Sequence, residues 1–193
     1  MGKGSMTNYL VIDTETGGLD VSRNSLLTLG ALIWSDGKLV AEKEWFVREP
    51  RMEIDPSSLE HHQVDLREVA SKGQSPKEVS EELLAFAKPH FPEEKIVLLG
   101  HNIQFDAAYV KRMFEMAGVD YEAAFSHRLI DTSTILGVLS LAGRIPISGR
   151  GLSEAIDHFK LPIDPARRHT ALEDARVTAL LFTKLVELLR ATS

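Results

Sequence analysis

The order of the apolar segments constrains the fold more than any other feature of this sequence. Three strand-like segments come first, at residues 9–13, 26–34 and 39–47, and a Ser-Asp-Gly-Lys turn between the last two predicts a hairpin. After residue 75, helical segments alternate with short strands at residues 95–99 and 128–131. A hairpin requires antiparallel strands, whereas helix–strand alternation is typical of parallel ones. The sequence therefore predicts an α/β fold with a mixed five-stranded sheet flanked by helices.

The helical segments follow one another without a linker. They are predicted at residues 54–61, 76–88, 103–116, 132–142, 152–159 and 171–190. Ser75 before Pro76 is typical of a helix start, and Gly118 is typical of a helix end. Residues 7–190 are expected to form a single domain, and the first six residues, MGKGSM, are expected to be a cloning remnant that ends at a native Met6.

Composition excludes several kinds of chemistry. The 193 residues contain no cysteine, which excludes disulfides, thiolate-bound zinc and a cysteine nucleophile. No apolar run approaches the roughly 18 residues of a membrane span, and no signal peptide is visible, so a cytoplasmic protein without a membrane partner is expected. The net charge of −6 argues against a polybasic nucleic-acid coat. It does not argue against an enzyme whose carboxylates bind divalent cations.

Asp13 and Glu15 are the first candidate functional residues. They follow a buried strand at positions i and i+2, so their side chains share one face. Two carboxylates about 4 Å apart repel each other by about 4 kcal/mol at an effective dielectric constant of about 20. Protonation, a basic partner or a divalent cation has to offset that repulsion, unless the residues lie in a solvated turn.

Two later segments place further polar residues near the same edge of the sheet. Asp106 follows the strand at 95–99 in the first turn of a helix, where it also suits the helix dipole. His169 precedes the last helix, and Glu173 and Asp174 lie in its first turns about 100° apart, so only one of the two acids can face a shared site. Helical periodicity does not decide between them. Four carboxylates and one histidine fit phosphoryl-transfer chemistry with two metal ions.

Three motifs in order give a specific resemblance. They are VIDTETGGL at residues 11–19, GHNIQFD at 100–106 and HTALEDA at 169–175. The chain resembles the DEDDh, or DnaQ-like, family of 3′→5′ exonucleases within the ribonuclease-H-like superfamily, over residues 9 to about 188. The resemblance, and not periodicity, favours Asp174 over Glu173. It also implies the ribonuclease-H-like form of the mixed sheet.

The resemblance implies roles for particular residues. Two Mg²⁺ or Mn²⁺ ions would be held by four carboxylates, those of Asp13, Glu15, Asp106 and Asp174. His169 would be the general base for the attacking water. The substrate would be contacted by Thr16 and Gly17 at the terminal 3′-OH, by Leu19 at the last base, and by His101, Asn102 and Phe105 along the strand. His62 lies in a segment that resembles the family's His-Gly-Ile but lacks its glycine, so a site role and a surface position both stay open.

The implied activity is hydrolysis of terminal phosphodiesters in DNA or RNA with release of nucleoside 5′-monophosphates. The implied partner is a nucleic acid with a free 3′ end, most simply a single strand, and a homodimer or a polymerase partner stays open. The alternatives are a non-catalytic nucleic-acid-binding or partner-binding domain of the same fold, and another metal-dependent phosphoesterase. Arg167 and Arg168 are interpreted either as phosphate contacts or as ordinary loop residues.

Overall fold

A five-stranded mixed sheet forms the centre of the protein. The computed structural model describes residues 7–60 and 64–191, so residues 1–6 and His62 lie outside the described residues. The strands are β1 (Asn8–Thr16), β2 (Leu26–Ser35), β3 (Lys38–Phe46), β4 (Ile96–Gly100) and β5 (Phe125–Asp131), and their order is β3-β2-β1-β4-β5. The pairs β1–β2 and β2–β3 are antiparallel, and β1–β4 and β4–β5 are parallel. The predicted mixed sheet is confirmed.

Seven α-helices in the described residues flank this sheet. They are α1 (Leu66–Lys72), α2 (Pro76–Ala87), α3 (Gln104–Ala117), α4 (Tyr121–Ala124), α5 (Thr132–Leu141), α6 (Leu152–Phe159) and α7 (Ala171–Arg190). Short 3₁₀ turns span Pro56–Glu60 and Lys88–His90. The predicted cap of α2 is confirmed, because Ser75 Oγ accepts from the Glu78 amide while the Glu78 carboxylate accepts from the Ser75 amide at 2.8 Å. Helices α1 and α4 were not predicted.

The two faces of β1 pack against different helices. Leu10 and Ile12 lie in the core that includes α2 and α3, whereas Val11 lies in the core that includes α7. Tyr9 lies on the α7 side as well, with its ring centroid 5.5 Å from that of Phe182. Side chains alternate along a strand. The next odd-numbered residues of β1 therefore face α7, and the next even-numbered ones face α3.

Helix α7 begins in close contact with the sheet. A Cβ on Gly30 of β2 would lie 2.4 Å from the carbonyl carbon of Ala171 and from the amide nitrogen of Leu172, so only glycine fits there. Gly30 is also the register partner of Asp13. This close approach fixes the first turn of α7 beside the acidic end of β1. No helix in the described part of the chain is long and apolar enough to cross a membrane.

Candidate active site

Three carboxylates converge where β1 meets α7. Asp13, Glu15 and Asp174 each offer an oxygen, and these oxygens lie within 4.8 Å of one another. Asp13 and Glu15 lie inside β1 and not just beyond it, because pairing with β2 continues to Thr16. The strand thus holds both side chains on the face that α7 covers.

Asp106 approaches the same end of β1 from the opposite face of the sheet. It lies in the first turn of α3 and is 4% exposed. Thr14, between the two acids of β1, donates a hydrogen bond of 2.7 Å from Oγ1 to Asp106 Oδ1. Asp106 is therefore near the group of three carboxylates without belonging to it.

The pKa values of these acids show how strongly the site disfavours negative charge without a cation. Burial raises the pKa of Asp13 well above its ordinary value, and the charges of Asp106, Glu15 and Asp174 raise it further. Burial and the carboxylates of Asp174 and Asp106 raise the pKa of Glu15 to about 8. Burial raises the pKa of Asp106 to about 7, against the hydrogen bond from Thr14. Hard oxygen donors under such repulsion fit a divalent cation such as Mg²⁺ or Mn²⁺.

Glu173 and Asp174 have different surroundings although they are neighbours. Glu173 Oε1 accepts from the Asp164 amide at 3.1 Å, and its Oε2 pairs with Arg176 at 2.7 Å. Asp174 is the acid that joins Asp13 and Glu15. Helical periodicity left the choice between Glu173 and Asp174 open. The geometry of the site favours Asp174, as the motif resemblance does.

The segment before α7 carries the exposed His169 and the half-buried Arg168. His169 is exposed, has a φ of 64°, and donates from its backbone N–H to Asp174 Oδ1 at 3.4 Å. Arg168 is ion-paired through Nη1 with Asp174 Oδ2, and its Nη2 donates to Ser153 Oγ at 3.2 Å. Sequence reasoning left the place of Arg168 open, since nothing in a loop sequence shows which arginine turns inward.

A groove of about 490 Å³ adjoins the carboxylates. Of the predicted site residues, Thr16, Leu19 and Phe105 line it together with Glu15, and Leu19 is 85% exposed. Sequence reasoning missed six polar residues that also line it, namely Thr14, Asp20, Asn24, Asp55, Ser57 and Ser58. An Asp-Pro turn at Asp55 was the one local signal, and it indicated a helix start only.

The loop between β1 and β2 is held rigidly against this groove. Tyr109 Oη and Thr16 Oγ1 both donate to the Gly18 carbonyl, at 2.9 and 2.7 Å. The Gly17 amide donates to the Ser25 carbonyl at 2.7 Å, and a Cβ on Gly17 would lie 2.4 Å from the Glu53 carbonyl oxygen. The N–H of Gly17 is therefore engaged inside the protein, and this glycine permits close backbone packing.

His101 and Asn102 lie in the connection from β4 to α3 and are not among the described residues that line the groove. His101 Nδ1 lies 2.9 Å from Thr132 Oγ1, which itself donates to the Gly100 carbonyl at 3.1 Å. This hydrogen bond holds the imidazole beside Thr132, and burial lowers the pKa of His101. Asn102 is exposed, with a φ of 63°, and its amide donates to Asp131 Oδ1 at 2.9 Å.

Comparison with known proteins gives sequence relatives along almost the whole chain. The chain is 29% identical over 183 residues to the PolC-type DNA polymerase III of Thermotoga petrophila, with 94% of this chain and 12% of that protein aligned. It is 26% identical over 200 residues to Ribonuclease T of Actinobacillus pleuropneumoniae, with 97% of this chain and 88% of that protein aligned. The chain therefore spans about an eighth of the PolC-type relatives and most of the ribonuclease.

A solved structure shares the fold. Exonuclease I of E. coli, in complex with a dT13 oligonucleotide, superposes with a TM-score of 0.81 at 13% identity, covering 96% of this chain and 42% of that one. The family model described as Exonuclease (RNase_T) matches residues 10–182. This match confirms the resemblance to the DnaQ-like group within the ribonuclease-H-like superfamily. The chain belongs to the RNase_T exonuclease family.

Proposed function

We propose that the protein is a divalent-metal-dependent 3′→5′ exonuclease that removes nucleoside 5′-monophosphates from DNA or RNA, with residues 7–190 acting as one domain. The observation that carries this proposal is the meeting of Asp13, Glu15 and Asp174 within 4.8 Å at the end of a groove, in a member of the RNase_T exonuclease family. A non-catalytic binder of phosphate-rich ligands has no use for clustered carboxylates, which repel phosphate.

The donor set suits two Mg²⁺ or Mn²⁺ ions. Asp13, Glu15 and Asp174 would bind them directly, and Asp106, on the other face of β1, would bind directly or through water. Such ions supply positive charge that polarises a phosphodiester and activates water at neutral pH. The protein's own side chains and the groove bind and orient the substrate and accept the proton of the attacking water.

The groove receives the terminal nucleotide. Leu19 and Phe105 offer apolar surface to its base, and Phe105 is supported by Tyr109 at a centroid distance of 5.1 Å. The backbone at Thr16 orients the 3′-OH next to Glu15. Gly17, whose N–H and carbonyl are bonded to Ser25 and Asp55, holds that backbone in place. His169, exposed at the mouth of the site, accepts the proton of the attacking water, while His101 and Asn102 contact the strand further from its end.

Single-stranded nucleic acid is the substrate class that the comparisons support. The Exonuclease I structure holds a dT13 oligonucleotide, and another relative is named Ribonuclease T, so DNA and RNA both have support. The PolC-type relatives carry the matched segment within a named DNA polymerase, which supports a polymerase partner. The Ribonuclease T match, which covers 88% of that protein, supports an independent enzyme instead.

A labelling experiment tests the proposal. Single-stranded DNA and RNA carrying a label at either end are incubated with Mn²⁺ or with a chelator. The 3′ label should leave first as a mononucleotide, the 5′ label should move through a ladder of shortening products, and the chelator should stop both. Release of the 5′ label before the 3′ label would show that the enzyme degrades the strand in the 5′→3′ direction. Tight binding without cleavage would indicate a binding domain, and hydrolysis of a model phosphomonoester alone would indicate a phosphatase.

A further inference from the structure

Arg168 is an unusually enclosed loop arginine. Its guanidinium is ion-paired with Asp174, and the two side chains are only 14% and 11% exposed. The neighbouring Arg167, by contrast, is exposed. A cation is therefore already present among the carboxylates that the proposed function assigns to metal ions.

The Arg168 guanidinium connects the carboxylate cluster, helix α6 and the segment that carries His169. Its charge lowers the pKa of Asp13 and of Glu15, against the burial that raises both. Its Nη2 donates to Ser153 Oγ of α6 at 3.2 Å. Arg168 thus offsets the repulsion within the cluster and holds the segment that carries His169 between α6 and α7.

Both oxygens of Asp174 are used to hold that segment. Oδ2 accepts from Arg168, and Oδ1 accepts from the His169 backbone N–H at 3.4 Å. A divalent cation that binds Asp174 shares this carboxylate with the guanidinium and repels it. Metal binding therefore weakens the ion pair between Arg168 and Asp174, and the ion pair weakens metal binding.

We propose that Arg168 is the resident counter-ion of the metal-free site and a positioning residue for His169. Metal binding displaces its guanidinium from Asp174 and thereby releases the loop at residues 164–170. The imidazole of His169 is then free to turn toward the substrate only when the metal site is filled. This inference rests on the proposed function, because it assigns the carboxylates to a divalent cation.

Calorimetric titration with Mn²⁺, without substrate, tests the competition. The variant R168M should bind Mn²⁺ about tenfold more tightly than the wild type, since a charge-assisted competitor is lost. R168K keeps the charge and should stay close to the wild type. R167M removes the same charge from the adjacent exposed position and should also match the wild type, which makes it the control. Unchanged or weaker Mn²⁺ binding by folded R168M would overturn the proposal.

Hydrogen exchange in the wild-type protein gives a second test that needs no variant. Mn²⁺ should speed amide exchange within residues 164–170, and R168M should exchange rapidly there even without Mn²⁺. Slower or unchanged exchange on adding Mn²⁺ to the wild type would contradict the release of the loop. If the wild type binds Mn²⁺ and releases nucleotides but these differences in affinity and exchange are absent, the proposed role of Arg168 is wrong and the proposed function stands. If the wild type binds no Mn²⁺, the proposed function fails with it.

Discussion

Thr14 donates a hydrogen bond of 2.7 Å from Oγ1 to Oδ1 of Asp106, and this contact joins the first motif to the second across 92 residues of sequence. Its neighbours Asp13 and Glu15 face α7, whereas Thr14 faces α3. Strand β1 therefore holds two acids on one of its faces. On its other face it holds the Thr14 hydroxyl, which fixes the position of Asp106. The hydroxyl favours the ionised form of Asp106 against the burial that raises its pKa.

Replacing Thr14 by valine tests this contact. At pH 8, where Asp106 is largely ionised, T14V should lower the free energy of unfolding by about 1–3 kcal/mol, since a buried carboxylate loses its donor. The loss should be smaller at pH 5.5, where the carboxyl is protonated. T14S keeps the hydroxyl and is the matched control. Denaturant unfolding measures both, and equal losses in T14V and T14S would show that packing, not the hydrogen bond, matters at this position.

Replacing Asp13 by asparagine should separate stability from activity. D13N should release no nucleotide, because the proposed metal site loses a ligand. Metal-free D13N should nevertheless melt at a higher temperature than metal-free wild type, because burial and three neighbouring carboxylates disfavour the charge at this position. E115Q removes one negative charge from an exposed position of α3 and should change neither property. Wild-type nucleotide release by D13N would remove Asp13 from the site.

The raised pKa values predict how the stability of the metal-free protein depends on pH. Glu15, with a pKa of about 8, and Asp106, with a pKa of about 7, hold protons in the folded state that they lose in the unfolded state. The free energy of unfolding should therefore fall as pH rises from 6.5 to 8. Glu82, whose pKa is about 2, is ionised in both the folded and the unfolded state over this range. The lowered pKa of His101 opposes the fall near pH 6.5, because the unfolded state binds more protons at this residue there than the folded state does.

Excess Mg²⁺ should flatten this dependence, because a bound cation favours the ionised carboxylates. D13N should flatten it in part, by removing one of the groups that titrate together. Thermal unfolding at matched ionic strength, with and without Mg²⁺, makes the comparison. Stability that rises from pH 6.5 to 8 without metal would contradict the raised pKa values.

The sequence predicted most of the architecture because its signals were local. The hairpin turn, the Ser75–Pro76 start of α2, and the Gly118 end of α3 are each determined by a few neighbouring residues, and all are confirmed. Strand β1 continues three residues beyond its predicted end at Asp13. Acids are atypical of a buried strand, and only pairing with β2 extends the strand through them.

The parts that were missed depend on contacts between distant segments. The groove residues come together because the Ser25 amide donates to the Glu53 carbonyl and the Asp55 amide donates to the Gly17 carbonyl, at 2.9 and 2.6 Å. Backbone hydrogen bonds of this kind leave no pattern in the sequence. The orientation of Asp174 likewise depends on the contact of α7 with Gly30, which fixes how the helix is rotated.

The chemistry of the 3′ end should control whether the strand is degraded. A 3′-phosphate adds about 1.5–2 negative charges in a groove lined by Glu15, Asp20 and Asp55. Repulsion of about 4 kcal/mol per pair of charges at about 4 Å should slow cleavage at least about 100-fold. A 5′-phosphate should have no such effect. Gel analysis of oligonucleotides phosphorylated at one end measures this, and phosphatase treatment should restore the rate. Equal rates for both ends would place the 3′ terminus outside this groove.

His169 should contribute to turnover and not to metal binding. It is exposed, it precedes α7, and only its backbone N–H is described in contact with Asp174. H169A should therefore lower kcat by about 10²–10⁴-fold, the usual contribution of a general base, while Mn²⁺ affinity stays at the wild-type value. H127A removes an exposed histidine of β5 and should change neither quantity. Single-turnover rates and calorimetry on the same preparations provide the comparison. Loss of Mn²⁺ affinity together with rate would make His169 a ligand, and an unchanged rate would exclude it as the base.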